Sequence, residues 1–269
     1  MENLNIHKNI ELAISALTLL AIVIGGLFAY LKYENYRKES NYQKVITRYL
    51  DNNIDIFTYE LSSYAMNVNV NLALMEKNIV PIEQRRATFN AVLKNSGKLR
   101  FSLHKLMVFD PIVYRSYFHI INEATTSLHA ITEEHPDIES LKSKRRIVQN
   151  WSNFIIFNLQ DIGELLRKNI YDYDTPNIEK FKEKKEYKDI ITRFETFNNK
   201  WDSMLDAKKS FVSYKANNEG LQKTKPKEFQ KKSDQLRNPW TTKTAELHNY
   251  VAEYLDKRGI PTAKAIEDY

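Results

Sequence analysis

The sequence predicts an all-α protein, with one N-terminal transmembrane helix followed by a cytosolic bundle of about five long helices. Three observations carry that expectation. Residues 12–31 hold no charged side chain. Only 6 Gly and 7 Pro occur in 269 residues, too few for a turn-rich β fold. Beyond residue 35 the apolar residues recur at spacings of three and four, the period of a helix with one buried face.

A helix of about 20 apolar residues matches the roughly 30 Å hydrocarbon core of a bilayer. A cleaved signal needs a basic start and a small-x-small site. Here "MENLNIHKN" is nearly neutral and "GLFAYLKY" offers no convincing site. Tyr30 and Tyr33 follow at the level favoured by aromatic rings. Lys32, Arg37, Lys38, Lys44 and Arg48 come after the run, whereas only Lys8 precedes it. Positive charge marks the cytoplasmic side. The expectation is a single pass through the inner membrane, with residues 1–11 outside and the body in the cytoplasm. Ala21, Gly25 and Ala29 repeat every four residues, and small residues at that spacing let two helices approach. The expected partners are the lipid bilayer and further copies of the chain, with an unknown protein partner for the body. Glu11 is too shallow to line a pore.

The elements follow in order. Tyr42, Val45, Tyr49, Phe57, Leu61, Tyr64, Val68, Leu72 and Met75 continue the span into a long helix, with "NVNVNLAL" read as helix despite its alternation. Pro81 opens a helix that ends near Met107, with a candidate break at "NSGK". "FDPIV" opens the next, because Asp110 can accept from free backbone N–H groups and Pro111 needs no partner. It runs to about Glu133, and "EHPD" opens another stripe from Ile138 to Ile170. "YDYDTPN" reads as a loop. A further stripe runs from Phe181 through Ile190, Phe194, Phe197, Trp201 and Leu205 to Val212. Trp151 and Trp201 read as packing residues. The body is therefore placed at 32–217. Residues 218–238 read as a Lys-rich loop or linker, because they hold Gly220 and Pro226 and no sustained stripe. Asn238 and Pro239 then open a last helix, 239–258, stopped at Gly259 before a tail, 259–269.

The chain has no cysteine, which excludes disulfides, thiolate metal sites and a Cys nucleophile. It has no phosphate-binding Gly-rich loop, no HExxH and no Gly-x-Ser-x-Gly elbow. His129 and His135 lie six apart beside Glu133 and Glu134, which reads as a solvated helix end, so no metal and no cofactor is expected.

Two pairs carry candidate chemistry. "RFSLH" sets Arg100 and His104 four apart, and "RSYFH" does the same for Arg115 and His119. On a helix each pair would share one face. This resembles the Arg/His pair of the all-α HEPN ribonucleases, some of which are membrane-tethered effectors. The resemblance implies RNA cleavage, with the His moving a proton and the Arg stabilising a pentavalent phosphate. It covers only these positions and the helical character. Three residues separate each pair here, where that family leaves four to six. Phe101 follows Arg100 where a polar residue is usual, while Ser116 follows Arg115.

The net charge is +6. Lys208, Lys209, Lys215, Lys223, Lys225, Lys227, Lys231 and Lys232 face only Glu219 and Glu228 within 208–232, a local excess as large as that of the whole chain. Such a patch can touch anionic lipid or RNA phosphates. Together these features predict a membrane-anchored protein that works by oligomerisation or partner binding, a membrane-associated effector being one version, rather than as an enzyme. A tethered ribonuclease and an extracytoplasmic sensor bundle of reversed topology are the alternatives.

Overall fold

The computed structural model describes residues 2–76, 80–129, 132, 137–169 and 178–262, with side chains from residue 15 onward apart from 45 and 76. No strand occurs among them. Helix α1 spans Glu2–Val45 and passes into a π-helical stretch, Ile46–Asp55, then into α2, Ile56–Glu76. Helix α3 (Ile82–Ser102) leads into a 3-10 stretch, Leu103–Val108, and α4 covers Pro111–His129. Helices α5 (Ile138–Asn169), α6 (Ile178–Lys182), α7 (Lys185–Asn217), α8 (Glu219–Thr224) and α9 (Pro226–Lys257) complete the described chain. One helical run among the described residues, Ser15–Met75, is long and apolar enough to cross a membrane.

Local chemistry explains the boundaries. Asp110 accepts from the Ile112 N–H at 2.8 Å, and Pro111 opens α4 as expected. Asp137 caps α5 through the N–H groups of Glu139 and Ser140, at 3.1 and 3.3 Å. Gly259, at φ 69°, ends α9. The Ile260 N–H reaches the Leu255 carbonyl and the Gly259 N–H reaches that of Asp256, a paired closure that needs the left-handed residue.

The core is built around α5. Trp151, Phe154, Ile155, Leu159 and Ile162 are all at most 1% exposed, and each such side chain contributes about 2 kcal/mol through burial. Helix α2 packs on one side of α5, and α4, α7 and α9 on the others. Tyr117 donates to the Phe57 carbonyl at 2.7 Å, and Tyr187 donates to the Phe109 carbonyl at 2.8 Å, so the hydroxyls of two buried rings are satisfied. Near the C-terminal end of α9, the Asp161 carboxylate accepts from Arg193 at 2.9 Å and from Arg258 at 2.7 Å. Arg193 also donates to Asn158 at 2.7 Å, so α5, α7 and α9 are clamped at one point.

Several sequence expectations are corrected. The helix past the span is not uniformly α, because ten residues adopt π form. No break occurs at "NSGK": Asn95, Ser96 and Gly97 lie inside α3, and the chain tightens at Leu103 instead. The largest correction concerns 218–238, which is helical rather than a loop. Helix α9 starts at Pro226, so Asn238 is not a cap and Pro239 lies inside the helix at an exposed position. The physical reason is tertiary. Tyr214 stacks on Phe229 at 5.6 Å and Phe211 on Trp240 at 5.6 Å, zipping α7 to α9 across the sparse polar stretch. Val212, placed in the core stripe by its spacing, is 51% exposed. The "YDYDTPN" loop at 171–177, Ile170, the helix end at Glu133, and residues 263–269 of the tail lie outside the described residues.

Candidate functional site

Ala21, Gly25 and Ala29 are exposed on α1, and a Cβ added at Gly25 or Gly26 would meet no atom within 4 Å. The apolar side chains around them, from Leu17 to Leu31, are 46–68% exposed and touch no part of the body. Tyr30 and Tyr33 are 60% and 62% exposed.

Arg115, His119 and Glu123 stand at four-residue steps on α4 and face α7. One Arg115 nitrogen donates to both oxygens of Asp202, at 2.6 and 2.7 Å. The His119 ring lies flat on Trp201, with centroids 4.8 Å apart and planes at 12°. Burial lowers the His119 pKa to about 4; the Arg115 charge adds to this and Asp202 opposes it. His119 is therefore neutral at pH 7, and its Nε2 is buried with no hydrogen-bond partner among the described residues. Ser116 points into the core, donating to Ile112 and bonded to Asn198, both at 3.0 Å. Burial raises the Glu123 pKa, against the pull of Lys208 and Lys144. The guanidinium is occupied by a carboxylate and the imidazole by an indole, an arrangement that locks α4 to α7.

Arg100 and His104 fall in different helical elements. Arg100 lies in the last turn of α3, whereas His104 lies in the tighter 3-10 stretch. Arg100 sits over the Phe118 ring at 5.8 Å, with its Nε buried and without a hydrogen-bond partner among the described residues. His104 is exposed, and its Nδ1 lies 2.9 Å from the Phe101 carbonyl. His129 packs edge-on against Phe89 at 5.4 Å, while His135, Glu133 and Glu134 lie outside the described residues. Among the described residues no group of three or more His, Asp or Glu is placed to hold a metal ion.

The lysine patch decorates a helical hairpin made by the end of α7, α8 and the start of α9. Lys208 lies over Trp240 at 5.6 Å and Lys215 over Phe211 at 5.4 Å. Lys209 pairs with Asp206 at 3.4 Å and Lys225 with Glu228 at 3.3 Å. Lys223, Lys227, Lys231 and Lys232 have no ion-pair partner among the described residues. Helix α7 begins beside the C-terminal end of α5, which packs on the π stretch, and runs about 50 Å from there. The hairpin therefore lies at the end of the bundle away from α1.

A further concavity has no counterpart in the sequence motifs. A groove of about 420 Å³ runs between α2 and α3. Phe57, Tyr64, Val92 and Leu99 form its floor. Its rim is polar, with Asn52, Glu60, Ser63 and Asn67 on one wall and Asn95, Lys98, Ser102 and Lys105 on the other. The sequence sign of it is "NSGK" itself, where short polar residues replace the apolar ones that would close two helices together. No family model, curated protein or solved structure matches the chain.

Proposed function

We propose that this is a single-pass inner-membrane protein, spanning at 12–31, whose helical body lies in the cytoplasm and works by self-association or partner binding. One observation carries the reading: an apolar run, exposed at every residue from 15 to 31, that no other part of the described chain covers. In water such a surface is unstable, and burial in a bilayer removes the cost. The open Ala21, Gly25 and Ala29 face supports pairing of two such helices. The basic hairpin, set away from α1, suits a soluble anionic partner better than the headgroups of the same membrane.

Two experiments test the reading. Native mass of the full chain in mild detergent gives an oligomer, and Gly25→Leu with Ala29→Leu lowers its order. A monomer in both cases ends the self-association reading. Because the chain has no cysteine, single cysteines at Asn5 and Lys209 report sidedness to an impermeant maleimide. Labelling of Lys209→Cys in intact cells establishes the reversed topology instead.

A further inference from the structure

The groove between α2 and α3 exists because its facing residues are short. Ser63 and Asn67 stand on α2 where the buried stripe gives way to the rim, and Asn95 and Ser102 stand on the neighbouring face of α3. Its volume of about 420 Å³ lies in the range of small-molecule sites.

The polar groups around it are unspent. The side chains of Asn52, Glu60, Ser63, Asn67 and Asn95 make no hydrogen bond with any described residue. Lys98 and Lys105 have no ion-pair partner there. Some surface lysines elsewhere are paired within one turn, as in Lys142 with Glu139 at 2.6 Å and Lys243 with Glu246 at 2.9 Å. Ser102 alone has a bond, a long one of 3.4 Å to the Lys98 carbonyl. Two ammonium groups against one carboxylate select an anion. Three carboxamides, each carrying donors and an acceptor, match the edge of a heterocycle. The floor of Phe57, Val92 and Leu99 suits a flat apolar face better than a hydroxylated ring. A purely apolar ligand would bury the rim groups without partners, which is costly. Inorganic phosphate alone would leave the carboxamides and the floor unused.

We propose that the groove binds a nucleoside phosphate. Lys98 and Lys105 hold the phosphate as point charges, the carboxamides of Asn67 and Asn95 meet the base edge, and Glu60 accepts from a ribose hydroxyl.

The test uses the full chain in detergent micelles. Equilibrium dialysis and thermal unfolding are measured with AMP, GMP, CMP and UMP at up to 1 mM, beside their four parent nucleosides, glucose 6-phosphate and inorganic phosphate. At least one nucleotide binds and raises the melting temperature by 2 °C or more, and its parent nucleoside and free phosphate bind at least tenfold more weakly. Replacing both lysines (Lys98→Gln with Lys105→Gln) weakens that binding at least tenfold, whereas Lys94→Gln, on the exposed side of α3, leaves it unchanged. Absence of binding by all four nucleotides overturns the proposal. So does binding that ignores the lysine replacements, or equal binding of glucose 6-phosphate.

Discussion

A Cβ built on Gly163 would stand 3.3 Å from the Ile54 Cγ2 atom. The same position would meet Leu50 at 3.6 Å. Helix α5 thus meets the π stretch at a tight point, where a side chain at 163 would press on the side chains of Ile54 and Leu50. Arg167 and Asp55 pair at 3.2 Å one turn further on.

Gly163→Leu is expected to cost about 1–3 kcal/mol by overpacking, and to lower the melting temperature by several degrees. Gly97→Ala is the contrast. Nothing lies within 4 Å of a Cβ at that position, so the helical preference of Ala adds up to about 1 kcal/mol. Chemical denaturation of both variants checks the pair. Equal effects would mean that contact with Ile54 is not what requires glycine at 163.

His119 makes stability depend on pH. Its folded pKa of about 4 lies below the ordinary 6.5, so between those values the unfolded chain binds a proton that the folded chain refuses. Stability is lost as pH falls through that window. His119→Phe keeps the stack on Trp201 and removes the proton, so its urea midpoint falls less between pH 6.5 and 4.5 than that of wild type. Glu123, raised by burial, works in the opposite direction in both proteins and cancels in the difference. Parallel pH profiles would exclude His119 as the source.

Asp161 is 19% exposed and is the shared acceptor of two arginines. Asp161→Ala leaves Arg193 and Arg258 without it, at a cost of about 2 kcal/mol. The loss is local. Amide exchange at 254–258 accelerates, while exchange at 111–129 stays as in wild type. Uniform acceleration along the chain would mean that the carboxylate holds more than the end of α9.

Phe229 is 4% exposed in an otherwise open hairpin. Phe229→Ala removes its stack on Tyr214 and unfastens the start of α9 from α7. A local loss of about 1.4 kcal/mol multiplies the open population tenfold, and trypsin cleavage between Lys223 and Lys232 rises to match. Wild type cut as fast as the variant would mean that 218–238 behaves as the loop its composition suggests.

The helical fold was legible where local chemistry sets it. Asp110 with Pro111, and Gly259, mark boundaries by caps that act within a few residues. The stripes on α5 and α7 mark buried faces by their period. The hairpin was not legible, because Phe229 is a lone apolar anchor whose partner, Tyr214, lies fifteen residues away across a turn. Arg100 and His104 looked paired because four residues make one α-turn, and nothing at Leu103 announces the tighter winding. Arg115 and His119 do share a face, but Asp202 and Trp201, which occupy them, come from another helix. The groove is written in residues that are individually ordinary, and only the approach of α3 to α2 gathers them.

The π stretch between α1 and α2 has one last consequence. Bonds that skip five residues turn the chain through less angle per residue than α bonds do. Ten such residues set the rotational phase between the Ala21, Gly25 and Ala29 face and the face α2 presents to α5. Rewinding Ile46–Asp55 into α form would swivel one face against the other about the common axis. A change of winding at the junction would turn whatever lies at one end against the other, with no need for a hinge.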